Sequence, residues 1–197
     1  MNSSFQSICV YCGANPGFSP VYQDAALQLA DELSQAGITL VYGGSSVGLM
    51  GILADRVLAN GGKVIGVIPQ ALVDKELAHE GLTELHVVES MHARKAKMAE
   101  LADGFIALPG GMGTLEELFE MLTWAQLGFH QKSCAVLNVD GFYEGLLSFL
   151  EGAISQGFIR DEHRHLLLNH NDPHTLLELM AAYEPPKQPK WINANET

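Results

Sequence analysis

The chain has 197 residues, 47% apolar and 17% charged, which fits one domain with a substantial core and excludes global disorder. Eleven basic against 23 acidic residues leave a formal charge of −12, which repels a polyphosphate duplex and argues against nucleic acid as a partner. No apolar run reaches the roughly 20 residues of a membrane span, and the opening MNSSFQSICVYCG lacks the basic start and long apolar centre of a secretion signal. A cytoplasmic protein with no membrane partner is expected.

Short apolar runs alternate with helical patterns. A strand over 7–12 precedes a helix over 20–36, and a strand over 39–42 precedes a helix over 49–60. Strands over 63–68 and 85–88 lead to a helix over 91–102, and one over 104–108 leads to a helix over 114–128. A last strand over 133–139 is followed by purely helical sequence, at 142–156 and 173–182, where Asp172 suits an N-cap and Pro173 the first turn. Nearly continuous apolar strands are buried on both faces, and their alternation with helices is the mark of βαβ crossovers. The expected fold is α/β: a single-domain, doubly wound parallel sheet over 1–183 with helices on both faces. From residue 184 the composition turns to the polar, proline-rich tail EPPKQPKWINANET.

Cys9 and Cys12 have CxxC spacing, but on a strand an odd offset sends side chains to opposite faces. Packed, reduced thiols are expected, not a redox pair or a zinc site. The eight histidines, His92 and His130 among them, lack metal-ligand spacing, so no metal is expected.

In an open parallel sheet the ligand site lies beyond the carboxyl ends of the strands. Three loops that leave strands are rich in glycine: Cys12-Gly13-Ala14-Asn15-Pro16-Gly17, Gly43-Gly44-Ser45-Ser46-Val47-Gly48 and Pro109-Gly110-Gly111-Met112-Gly113-Thr114. Glycine permits close backbone approach, and a helix starting straight afterwards aims free N–H groups at an anion. Together they predict one phosphate-recognising crevice. A P-loop and a dinucleotide-binding GxGxxG are both lacking, which removes support for ATP hydrolysis and NAD chemistry.

Two helices supply the reactive side chains. After the third loop, Leu115, Leu118, Phe119 and Leu122 follow helical spacing and predict the buried stripe; Glu116, Glu117 and Glu120 lie off it, and periodicity does not choose among them. Met121 and Trp124, also off that stripe, suit a subunit contact. In the other helix the stripe is Met91, Met98, Leu101 and Ala102, and Arg94 falls within the same arc. A guanidinium facing the core needs an anionic partner. With Lys95 and Lys97 beside it, Arg94 predicts a local positive pocket for a phosphate monoester.

The segment Pro109-Gly110-Gly111-Met112-Gly113-Thr114-Leu115-Glu116-Glu117 matches a PGGxGTxxE motif, and Met91-His92-Ala93-Arg94-Lys95 resembles an MHxRK motif. Val41-Tyr42-Gly43-Gly44, Gly48-Leu49-Met50-Gly51 and Thr123-Trp124-Ala125-Gln126-Leu127-Gly128 add to the likeness. In these features the chain resembles the LOG ("Lonely guy") family of cytokinin riboside 5′-monophosphate phosphoribohydrolases. The resemblance implies Rossmann-like protomers in homodimers or larger assemblies. It also implies hydrolysis of the N-glycosidic bond of a nucleoside 5′-monophosphate, a cytokinin riboside 5′-monophosphate or AMP, without metal or cofactor. Carried over by position, the catalytic pair falls on Arg94 and Glu117, and nucleotide contacts on Lys95, residues 111–117, Glu76 and Thr123. Gly111, Gly113 and Thr114 would cradle the phosphate, and Met91 would wall the base pocket. Relatives have often been labelled lysine decarboxylases, yet nothing in this sequence independently identifies a lysine for pyridoxal phosphate. The alternative class is a non-catalytic carrier of a nucleotide or phosphorylated cofactor, for which a carboxylate at Glu117 has no clear use.

Overall fold

The computed structural model describes residues 5–75 and 77–186. The expectation for Glu76 and most of the tail segment, 187–197, lie outside the described residues. The apolar runs become strands β1 (Ser7–Tyr11), β2 (Thr39–Tyr42), β3 (Val64–Pro69), β4 (Glu84–Val88), β5 (Gly104–Ala107), β6 (Ser133–Leu137) and β7 (Leu167–His170). They pair in parallel throughout, in the order β4-β3-β2-β1-β5-β6-β7. The sheet therefore grows outward from β1 in one direction and then returns to add β5 on its other side. The gap above the adjoining ends of β1 and β5 is the topological switch point where open α/β sheets bind ligands.

Helices α1 (Pro20–Gln35), α2 (Gly48–Ala59), α3 (Gln70–Val73), α4 (Met91–Leu101), α5 (Met112–Leu127), α6 (Glu144–Ser155) and α7 (Pro173–Ala181) complete the fold. Ser19 caps α1 by accepting from Val21 N, and Pro20 occupies its first turn. Asp172 caps α7, accepting from Thr175 N at 2.8 Å. The alternation of side chains along β1 builds two cores. Ile8, Val10 and Cys12 pack with Leu29, Leu53 and Leu176 of α1, α2 and α7. Cys9 and Tyr11 pack with Met98, Leu118 and Met121 of α4 and α5. Cys9 and Cys12 thus sit in different cores, and all three cysteines are buried and free.

Three expectations need correction. The sequence beyond residue 139 is not purely helical: Leu167–His170 adds a seventh strand beside β6. Its four residues, LLNH, include no β-branched or aromatic residue to announce it. Met121 is fully buried in the core under α5, and Trp124 packs against the same core, so Met121 is not a subunit contact in this fold. On α4 the buried stripe is Arg94, Lys95, Met98 and Ala99, while Met91 is 46% exposed. The helix is turned so that its charged pair, not its first methionine, faces inward.

Candidate active site

The loops after β1, β2, β5 and β6 converge over the switch point and enclose a cleft of about 450 Å³. Backbone hydrogen bonds lock the first and third glycine-rich loops together: Gly13 N donates to Pro109 O at 3.1 Å, and Leu108 N to Tyr11 O at 2.9 Å. Leu49 N, at the start of α2, donates to Gly13 O at 3.0 Å. From the second loop only Gly43 reaches the cleft wall. Ser45 is turned the other way and bridges to Ala78.

Ser90 caps α4 by accepting from Ala93 N at 3.1 Å, which fixes the turn that carries Arg94. The Arg94 side chain runs inward and is held at two points. Nε donates to the Val67 carbonyl of β3 at 3.1 Å, and Nη1 donates to Glu117 Oε1 of α5 at 2.9 Å. Gly43 makes the approach possible, because a Cβ there would overlap Arg94 Nη2. Arg94 and Glu117 are only 8% and 7% exposed, so each is the other's compensation for loss of water. Burial pushes the Glu117 carboxyl above the ordinary glutamate range; Arg94 pulls the other way and offsets only part of the rise. A carboxylate with a raised pKa on the wall of a cleft is poised for proton transfer.

The same helix brings an anion site. Its N-cap is Gly111, which has no side chain to satisfy the first-turn N–H groups, and buried Thr114 sits beside them. The positive end of α5 therefore opens into the cleft less than two turns from Glu117, the arrangement that binds phosphate.

Of the residues singled out in the sequence, the structure brings Gly13, Arg94, Gly110, Gly111, Gly113, Thr114 and Glu117 to this cleft. Others it places elsewhere in the protomer. Gly44 packs toward β3, where an added side chain would meet Ile68. The Lys95 ammonium is tied to Glu116 and, at 3.0 Å, to Glu120. Burial lowers its pKa, but the two carboxylates outweigh that and hold the ammonium above the ordinary lysine range. Lys97 pairs with Glu100 at the surface, so the positive pocket reduces to Arg94 and the helix end. Thr123 donates to Phe119 O within α5, and Met91 and Met112 are exposed outside the cleft. Gly43, named within the second glycine-rich loop, is also on the cleft wall; the sequence reading did not place Tyr22, Met50, Met98 and Phe142 there, though all four line the cleft. For Phe142 a signal existed in Asp140-Gly141, a turn pair just after a strand. Among the described residues no lysine lines the cleft, and no three His, Cys, Asp or Glu side chains gather as a metal set.

Residues 50–180 match a protein family described as possible lysine decarboxylase. Over 185 residues the chain is 49% identical to the probable cytokinin riboside 5′-monophosphate phosphoribohydrolase LOGL2 of Oryza sativa subsp. japonica, covering 94% of this chain and 76% of that one. It is 50% identical over 183 residues to the cytokinin riboside 5′-monophosphate phosphoribohydrolase LOG of the same plant, covering 93% and 76%. With LOG7 of Arabidopsis thaliana the identity is 49% over 183 residues, covering 93% and 84%. Among solved structures, the molybdenum cofactor binding protein of Rippkaea orientalis superposes with a TM-score of 0.68 at 22% identity, over 91% of this chain and 98% of that one. The molybdenum cofactor carrier protein of Chlamydomonas reinhardtii gives 0.66 at 20% identity, over 87% and 93%. At such identity these two share the fold alone.

Proposed function

The chain belongs to the LOG family of cytokinin riboside 5′-monophosphate phosphoribohydrolases, and on that premise we propose how its cleft performs the reaction. The protein is a nucleotide N-glycosidase that hydrolyses a nucleoside 5′-monophosphate to a free base and ribose 5-phosphate. The observation that carries the assignment of roles is the buried Arg94–Glu117 pair, 2.9 Å apart beside the uncapped start of α5. The phosphate binds the N–H groups of the first turn with Thr114, and Arg94 holds the ribose-phosphate from the side of α4. That remote grip orients the anomeric carbon at the Glu117 carboxylate.

As the bond from the anomeric carbon to the base breaks, its electron pair leaves with the base and positive charge builds on the sugar. The Glu117 carboxylate stabilises that charge and takes a proton from the attacking water. Water oxygen bonds the anomeric carbon, and the proton passes to the departing base. The substrates are cytokinin riboside 5′-monophosphates or AMP, and the site of action is the cytoplasm. The assembly is a homodimer or larger, a reading supported by α6, which buries no residue within the protomer and leaves Phe149 70% exposed. Light scattering after size exclusion tests it, and a monomer at micromolar concentration would remove it.

The chemistry is tested by incubating the protein with AMP and with N6-isopentenyl-AMP and separating the products by chromatography. Free base and ribose 5-phosphate in equal amounts are expected. Tight binding without release would favour the carrier reading instead.

A further inference from the structure

The lining of the cleft that holds Arg94, Thr114 and Glu117 also includes an aromatic side chain from the loop after β6. Phe142 lines the cleft with 43% of its surface open. Its plane is set by two nearly perpendicular neighbours: Tyr22, at 5.8 Å and 77°, and Tyr143, at 5.0 Å and 86°. The loop that carries it is held stiffly. Asn138 Oδ1 accepts from Tyr143 N at 2.8 Å, Asn138 Nδ2 donates to Glu144 at 2.7 Å, and the Tyr143 hydroxyl donates to Leu108 O at 2.7 Å. Just before Phe142 the chain passes through two successive left-handed residues, Asp140 at φ 49° and Gly141 at φ 72°. Among the described residues Asp140 is the one non-glycine with positive φ. Such a conformation persists only where surrounding structure imposes it, and it clusters at ligand sites.

Tyr22 is placed with similar tightness. Gly17 has φ 78°, and a Cβ there would lie 2.6 Å from Tyr22 Cδ2, so the Tyr22 ring occupies the space a side chain would take. The other tyrosine on the cleft wall, Tyr11, is only 1% exposed and lies parallel to Phe105 at 6.2 Å, so its ring is already committed to the core. Phe142, the most open of the aromatic side chains on the cleft wall, with the half-buried Tyr22 against its edge, is then the aromatic surface offered to a ligand held at Thr114 and Glu117.

We propose that Phe142, braced by Tyr22, is the stacking wall for the purine base of the substrate. The inference rests on the nucleotide N-glycosidase reading but is tested by binding, which does not need turnover. Calorimetry compares AMP with ribose 5-phosphate in wild-type protein and in Phe142→Leu, Phe142→Tyr and Gly17→Ala. Loss of a base–aromatic stack should weaken AMP binding about tenfold in Phe142→Leu. Ribose 5-phosphate affinity should stay unchanged, Phe142→Tyr should restore AMP binding, and Gly17→Ala should weaken AMP selectively by displacing Tyr22. Unchanged AMP affinity in Phe142→Leu would overturn the assignment. So would an equal loss for both ligands, which marks a general collapse of the cleft. Absence of base release by the wild type would count against the enzyme reading while leaving this binding comparison intact.

Discussion

Replacing Glu117 with glutamine isolates the charge from the shape. The amide keeps an oxygen where Oε1 now accepts from Arg94 at 2.9 Å, so the hydrogen bond and the packing persist and only the negative charge is lost. At 7% exposure the carboxylate acts through protein, not through bulk water. A charge about 4 Å from the developing sugar cation, at an effective dielectric of about 20, contributes about 4 kcal/mol. That corresponds to about a thousandfold in rate. We expect kcat to fall by that order while calorimetric AMP affinity is largely kept, the pattern of an interaction made only in the transition state. The stability of the variant supplies a second, independent reading. Because burial raises the Glu117 pKa in the folded protein, its contribution to stability is present below the unfolded-state value and is lost as pH rises through the folded one. Thermal unfolding across pH should show the wild type losing stability relative to Glu117→Gln over that window. Base release by Glu117→Gln at the wild-type rate would refute the reasoning outright.

Further expectations follow from the same geometry. Arg94→Ala should weaken AMP binding and turnover together, and it should lower Tm, because it leaves Glu117 buried without its partner at a cost of about 3 kcal/mol or more. Gly43→Ala forces a Cβ onto Arg94 Nη2; displacing the guanidinium should cost about a hundredfold in kcat/KM, with the circular dichroism spectrum unchanged. The acid limb of kcat/KM should lie above the ordinary glutamate range, since the ionised carboxylate is the active form and burial raises its pKa; a limb at the ordinary position argues against Glu117 as the group. Burial pushes the Cys9 and Cys12 thiols well up and Cys134 up to about 12, so a thiol reagent should react in the native state far more slowly than after denaturation.

The central strands were legible because burial on both faces leaves unbroken apolar runs, as in Ile8, Cys9 and Val10 or Phe105 and Ile106. LLNH was not, since four residues without β-branching look the same in a loop, a strand or a helix end. Arg94 was legible as a buried cation because its position in the helical period put it among apolar residues. The rotation of a helix, however, is settled by what it packs on. On α5 the inward face is Thr114, Glu117, Leu118 and Met121, about one position around from the predicted stripe, because the helix start must open toward the cleft. Spacing alone therefore left three glutamates equivalent, and the motif resemblance singled out Glu117. For Phe142 the Asp140-Gly141 pair marked a turn but not what the side chain beside it would face. A single aromatic in a loop carries no period, and its meaning comes from Tyr22, which is distant in sequence and meets it only in the fold.

The bare beginning of α5 bears on the order in which products depart. No residue at its N-cap completes the helix, so in the proposed reaction the nucleotide itself does so, with the one group that hydrolysis leaves untouched. The base loses its tether when the bond breaks. Ribose 5-phosphate keeps the anchor, should leave second, and should compete with incoming substrate as its concentration rises.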